Sequence, residues 1–160
     1  LGMPALALTD HDNVCAAVEF HQRAAALGLK PIQGAEVTLS SGAHLTLLAR
    51  NHLGYAALCR ALTAAHLENE RLQPALNLDH LSGGGGGGLI ALSGCRRGEI
   101  PRALLDGDRR RASRAGRRLL EIFGADSVFI ELEGAMLPGT RALNEALVEV
   151  AGELGVGYVA

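Results

Sequence analysis

Pro4-Ala5-Leu6-Ala7-Leu8-Thr9-Asp10-His11-Asp12-Asn13 sets the reading of the chain. An apolar run of strand length ends abruptly in polar and ionisable residues, and sequence of helical character follows toward Gly28. In parallel βα folds the reactive groups gather at the carboxyl ends of strands, so this junction is where a site is expected. His11 offers a neutral imidazole nitrogen to a transition metal, and Asp10 can ligate an ion or orient a neighbouring ring. The competing reading is local: Asp12 or Asn13 caps the helix that follows, and His11 sits in solvent.

Working outward, strand-length apolar runs alternate with stretches of helical period, the pattern of an α/β protein built from βα units. Strands are predicted at Ala5 to Leu8, Ile32 to Val37, Leu45 to Ala49, Leu89 to Ser93, Val128 to Leu132 and Val156 to Val159. The clearest helix runs from Thr140 to Leu154, where Leu143, Leu147, Val150, Ala151 and Leu154 share one face and Thr140 and Gly155 supply end signals. Further helices are predicted from Asp12 or Asn13 to about Gly28, from Gly54 to His66, and over about Asp108 to Phe123. The glycine run Gly83 to Gly88 costs too much backbone entropy for helix or strand and is expected to be a mobile loop. A strand follows it and no lysine accompanies it, which argues against a phosphate-binding loop.

At 160 residues, 48% hydrophobic and 20% charged, the chain is expected to form one unit with a real core. A formal net charge of −2 supplies no overall basic field, so any contact with nucleic acid must be local. The 3 cysteines, Cys15, Cys59 and Cys95, show no C-x-x-C spacing and favour neither a disulfide framework nor a thiolate zinc knuckle. A reducing cytoplasm is the expected compartment. No apolar run approaches the roughly 18 residues of a membrane span, so no membrane partner is expected.

Glu36 lies near the end of the strand that begins at Ile32, His44 opens the strand Leu45 to Ala49, and Cys95 follows Leu89 to Ser93. Each taken alone has an ordinary reading: an exposed strand carboxylate, a solvated edge histidine, a small buried thiol. Together with His11 they place metal-competent side chains at strand boundaries on separate βα units. Divalent ions held there would acidify a water and clamp a phosphate ester. Of the other histidines, His21 and His80 are read as solvated, and His66, near a helix end, as favouring the dipole there. Arg109, Arg110, Arg111, Arg114, Arg117 and Arg118 form the one basic patch, read chiefly as a solvated helix face.

The residues resemble a known family. Leu1 through Asn13, then Lys30-Pro31-Ile32 to Gly34-Ala35-Glu36, His44 to Ala49, Gly88 to Cys95 with Gly98-Glu99-Ile100-Pro101, and Val128 to Leu132 with Leu137-Pro138 look like successive segments of the PHP domain of bacterial DNA polymerase III alpha subunits, the C-family polymerases. Cys95-Arg96-Arg97-Gly98-Glu99 is similar to the error-prone paralogue. The resemblance implies a distorted seven-stranded (βα)7 barrel with parallel strands and a cluster of up to three zinc, manganese or magnesium ions at the strand ends. It implies His11, Glu36, His44 and Cys95 as metal ligands, and Asp10, His11 and Glu36 as the catalytic set, Asp10 in support. It also implies phosphoester hydrolysis, including 3′-to-5′ removal of nucleotides, DNA as a partner through the rest of a polymerase, and contacts with other polymerase domains and replisome subunits.

The chain departs from the family pattern in three ways. The opening His-x-His segment and its Asp are missing upstream, and the closing Asn-Asp-x-His segment would begin beyond Ala160, so the chain is expected to be an incomplete barrel without turnover of its own. Where relatives carry a polar, histidine-containing triplet, this chain has Glu133-Gly134-Ala135, which implies a weakened site. Two alternatives stand beside the polymerase reading: a free-standing phosphatase of histidinol-phosphate type, and a structural PHP module whose ligands have decayed.

Overall fold

A computed structural model describes residues 2–134 and 137–160; Leu1, Ala135 and Met136 lie outside the described residues, so Glu133-Gly134 alone of the departing triplet is placed. Strands β1 (Ala5–His11), β2 (Lys30–Thr38), β3 (His44–Ala49), β4 (Leu89–Leu92), β5 (Val128–Glu131) and β6 (Gly157–Val159) form one 6-stranded sheet in sequence order. Helices α1 (Ala17–Ala26), α2 (His52–Leu67), α3 (Glu99–Leu105), α4 (Arg109–Phe123) and α5 (Thr140–Leu154) fill the connections. Among the described residues the sheet is open, with β1 and β6 at its edges.

The sheet is parallel in the pairs β1/β2, β4/β5 and β5/β6, but β3 runs antiparallel to both β2 and β4. The expectation of parallel strands holds for those three pairs and is corrected at β3, and chain length is the reason. Only Leu39 to Ala43 separate β2 from β3, far short of the dozen or so residues a parallel crossover needs. The link closes instead as a tight hairpin, with Leu39 N–H donating to the Ala43 carbonyl at 2.8 Å and Gly42 at φ 73°.

The two faces of the sheet differ. Ala35, Val37, Leu45, Leu47, Ala91, Val128 and Ile130 are buried on one face. They join Leu58, Ala61 and Leu62 of α2, Leu119 of α4, and Leu143, Leu147 and Val150 of α5 in a single core. The pleat sends alternate residues to the other face. There His11, Glu36, Thr38, His44, Thr46 and Glu131 sit beside half-buried Ile32, Leu48, Ile90 and Phe129.

Helix boundaries follow their caps. Asn51 accepts a hydrogen bond from Gly54 N–H at the start of α2, and Asp108 accepts one from Arg111 N–H at the start of α4. Neither Asp12 nor Asn13 caps α1, which begins later, after Ala16 with no side-chain cap. Asn13 Oδ1 accepts from Cys15 N–H inside the intervening turn, and Asp12 is engaged elsewhere. Helix α3 and the single turn Leu78–Leu81 were not read from the sequence, being too short to show a period. In the glycine run Gly86 is buried against the Phe123 ring, and Gly88 touches the first turn of α2.

Candidate metal centre

The register brings the dispersed polar residues to one rim. His11, the last residue of β1, lies opposite Glu36 of β2, and Thr38 at the end of β2 lies opposite His44. Because β3 is antiparallel, it delivers its first residue to the rim where β1, β2, β4 and β5 deliver their last. Cys95 arrives through the turn after β4, where Gly94 adopts φ 81° and a Cβ would lie 2.5 Å from the His44 carbonyl oxygen, a place with no room for a side chain.

Glu36 Oε1 stands at the centre. It lies 2.8 Å from His11 Nδ1 and 3.0 Å from His44 Nδ1. Cys95 Sγ is 3.6 Å from the same His44 nitrogen, and the two imidazole rings are tilted against each other with centroids 4.7 Å apart. The ligand atoms of His11, Glu36 and His44 all lie within 4.8 Å of one another. His44 is 5% exposed, and its Nε2 is buried without a hydrogen-bond partner among the described residues.

The carboxylate beside His11 is Asp12, not the expected Asp10. Asp10 pairs with Ala35 and the pleat turns it to the face opposite His11. Asp12 is buried, in the left-handed region at φ 54°, and its Oδ2 lies 3.1 Å from His11 Nε2. Its carboxylate accepts from Thr38 N–H at 2.6 Å and from Thr38 Oγ1 at 2.8 Å, while its own N–H donates to the Glu36 carbonyl at 2.8 Å. Each His11 ring nitrogen therefore faces a carboxylate, Glu36 on one side and Asp12 on the other.

Glu131 and Glu133 complete the rim and were not picked out as site residues from the sequence. The strand-end rule that singled out Glu36 applies equally to Glu131, the last residue of β5. Glu131 accepts from Thr46 Oγ1 at 3.3 Å, its N–H donates to Ser93 Oγ, and Glu133 accepts from Arg96 N–H at 2.9 Å. Asn144 of α5 fixes the backbone of Glu133 by hydrogen bonds to its carbonyl and N–H.

The electrostatics suit a cation. Burial pushes the Glu131 carboxyl up, and the nearby Glu36 and Glu133 charges add to it. Burial also raises the Cys95 thiol, with Glu36 and Glu133 contributing. Burial lowers His44 toward its neutral, ligating form against the opposing pull of Glu36. Two imidazoles, a shared carboxylate oxygen and a thiol are a donor set for zinc, and the surrounding carboxylates suit manganese or magnesium. A cation would offset the crowded acids, and metal uptake would release the Cys95 proton. The residues fit the group.

Outside the rim, the arginine cluster is partly neutralised. Arg109 pairs with Glu149 at 2.6 Å and Glu153 at 2.8 Å, Arg111 with Asp106, and Arg118 with Asp79. Among the described residues no helix is long and apolar enough to cross a membrane.

The PHP domain family matches residues 1–135. The chain is 49% identical over 174 residues to the error-prone DNA polymerase of Symbiobacterium thermophilum, covering 99% of the chain and 16% of that protein. It is 42% identical to the error-prone DNA polymerase of Mycolicibacterium paratuberculosis, over 100% of the chain and 16% of the relative. It is 39% identical to the DNA polymerase III subunit alpha of Thermus aquaticus, over 98% of the chain and 14% of the relative. The chain thus spans only a small part of the length of the curated relatives it matches.

Proposed function

The chain belongs to the PHP domain family, and from that premise we propose that His11, Glu36, His44 and Cys95 hold divalent metal for phosphoester hydrolysis within a DNA polymerase of the III alpha type. The observation that carries the reading is the shared Glu36 Oε1, met by two imidazole nitrogens at 2.8 and 3.0 Å on one rim. Zinc, manganese or magnesium, up to three ions in a complete domain, would supply charge at the phosphoryl oxygens and acidify water. Glu36 would hold metal through its carboxylate, His11 and His44 through ring nitrogens, and Cys95 as thiolate. Asp12 would hold the His11 ring, Thr38 would hold Asp12, and Glu131 and Glu133 would extend the rim toward further ions.

On this reading residues 1–160 form one PHP unit of a cytoplasmic polymerase. The parent acts in DNA replication or error-prone repair synthesis, with DNA, the other polymerase domains and replisome subunits as partners. The names of the relatives favour a polymerase parent over a free-standing histidinol-phosphate-type phosphatase. Removal of nucleotides in the 3′-to-5′ direction is the reaction we assign to the completed site.

The test is zinc and manganese binding by calorimetry on the chelated chain, beside hydrolysis of a generic phosphodiester. We expect stoichiometric metal uptake, weakened at least tenfold by Glu36→Gln or His44→Gln, and no turnover by these 160 residues. Equal metal uptake by wild type and both variants would sink the assignment of ligands. No uptake by the folded wild type would favour the decayed, structural module.

A further inference from the structure

We propose that His66 is a positioning residue for the metal centre, holding the Asp12 turn so that the Asp12 carboxylate presents His11 to the ion. The inference rests on the metal-site reading and deepens it. His66 lies in the last turn of α2, remote in sequence from every ligand, and sequence reasoning assigned it to the helix dipole. Instead its Nε2 reaches across to the carbonyl of Asp12 at 2.8 Å. A carbonyl oxygen only accepts, so this nitrogen carries the proton.

The Asp12 turn needs such an anchor. Asp12 and Leu72 are the non-glycine residues with positive φ among the described residues, and Asp12 is 8% exposed. Every other polar group of Asp12 is spoken for. Its N–H donates to the Glu36 carbonyl, and its carboxylate accepts from Thr38 N–H and Thr38 Oγ1 and lies against His11 Nε2. Only the carbonyl remains, and among the described residues His66 is its sole donor. Without that bond, the Asp12 carbonyl loses its one protein donor among the described residues, in a backbone conformation that L-residues disfavour. Relaxation to negative φ would swing the carboxylate off Thr38 and away from His11 Nε2, loosening one side of the His11 ring. Packing does not demand histidine here: His66 lines an open cleft of about 490 Å³ whose other walls include Asp12, Asn13, Cys59, Leu62 and Thr63.

Cobalt(II) provides the readout, because its visible spectrum reports the ligand set directly. The chelated chain is titrated with cobalt as wild type, His66→Leu, His66→Gln and His11→Ala, with circular dichroism as a check on folding. His66→Leu should bind cobalt more weakly, by at most the roughly 10- to 100-fold lost when the direct partner of a ligand is removed. Its spectrum should move toward that of His11→Ala. His66→Gln, which keeps a donor of similar reach, should restore both affinity and spectrum. Wild-type affinity and spectrum in a folded His66→Leu would overturn the proposal and leave the metal reading standing. If His66→Leu does not fold, the glutamine variant decides: a folded His66→Gln that binds like His11→Ala overturns the proposal, and wild-type behaviour supports it. Failure of the folded wild type to bind cobalt would remove the metal reading itself, and this inference with it.

Discussion

A single carboxylate oxygen, Glu36 Oε1, sits within hydrogen-bond distance of two imidazoles, and the consequences differ for the two rings. His11 is half-exposed and can be solvated, whereas His44 is buried and its ionised form is penalised by desolvation, which lowers its pKa below 6.5. The unfolded chain then binds more protons than the folded one between the lowered value and 6.5. Stability of the chelated chain should therefore fall as pH drops through that window and be regained above it. Thermal denaturation at pH 7.5 and 5.5 checks this: the melting temperature should drop more on acidification for wild type than for His44→Gln. An equal drop would mean that His44 is not held neutral by burial. His11, Glu36, His44 and Cys95 stood out in the sequence as candidates because each is metal-competent and lies beside a strand boundary, and the fold brings them to one rim. Asp12 and His66 were not, since their roles depend on a left-handed turn and on a helix crossing from about 54 residues away in the chain.

At the scale of elements, the strands were legible because each is a compact apolar run with polar flanks, and α5 because its apolar period is unbroken. The direction of β3 was less so, although the short Leu39 to Ala43 link carried the information. The contact of α2 with the glycine run could not be read from either segment alone. A Cβ on Gly54 would lie 1.9 Å from the Gly88 carbonyl oxygen, and that same oxygen accepts from Arg50 N–H at 2.8 Å. Helix propensity alone favours alanine over glycine at such a position by about 1 kcal/mol. Overpacking against fixed backbone outweighs this, so Gly54→Ala should destabilise the chain by about 1–3 kcal/mol. Urea denaturation is the measurement, and an unchanged or raised midpoint would show that the two segments separate without cost.

Across the whole molecule, one sheet face carries the helices and the core, and the other carries the metal-site rim together with half-buried apolar residues. This division was implicit in the alternation along each strand. Closure was not, because it depends on which strands find partners. Among the described residues β1 and β6 each pair on one side only, and Leu6, Tyr158 and Val159 on them are 46%, 56% and 37% exposed. Such borders offer a row of unsatisfied amides and carbonyls that a neighbouring molecule can continue as if it were the next strand. The isolated chain should consequently grow oligomers by lateral templating, with a weight-average mass that climbs with concentration in sedimentation equilibrium. Tyr158→Lys, a gatekeeping charge, should suppress that growth while leaving the circular dichroism unchanged; a wild-type chain that stays monomeric at millimolar concentration would show that its margins are already protected.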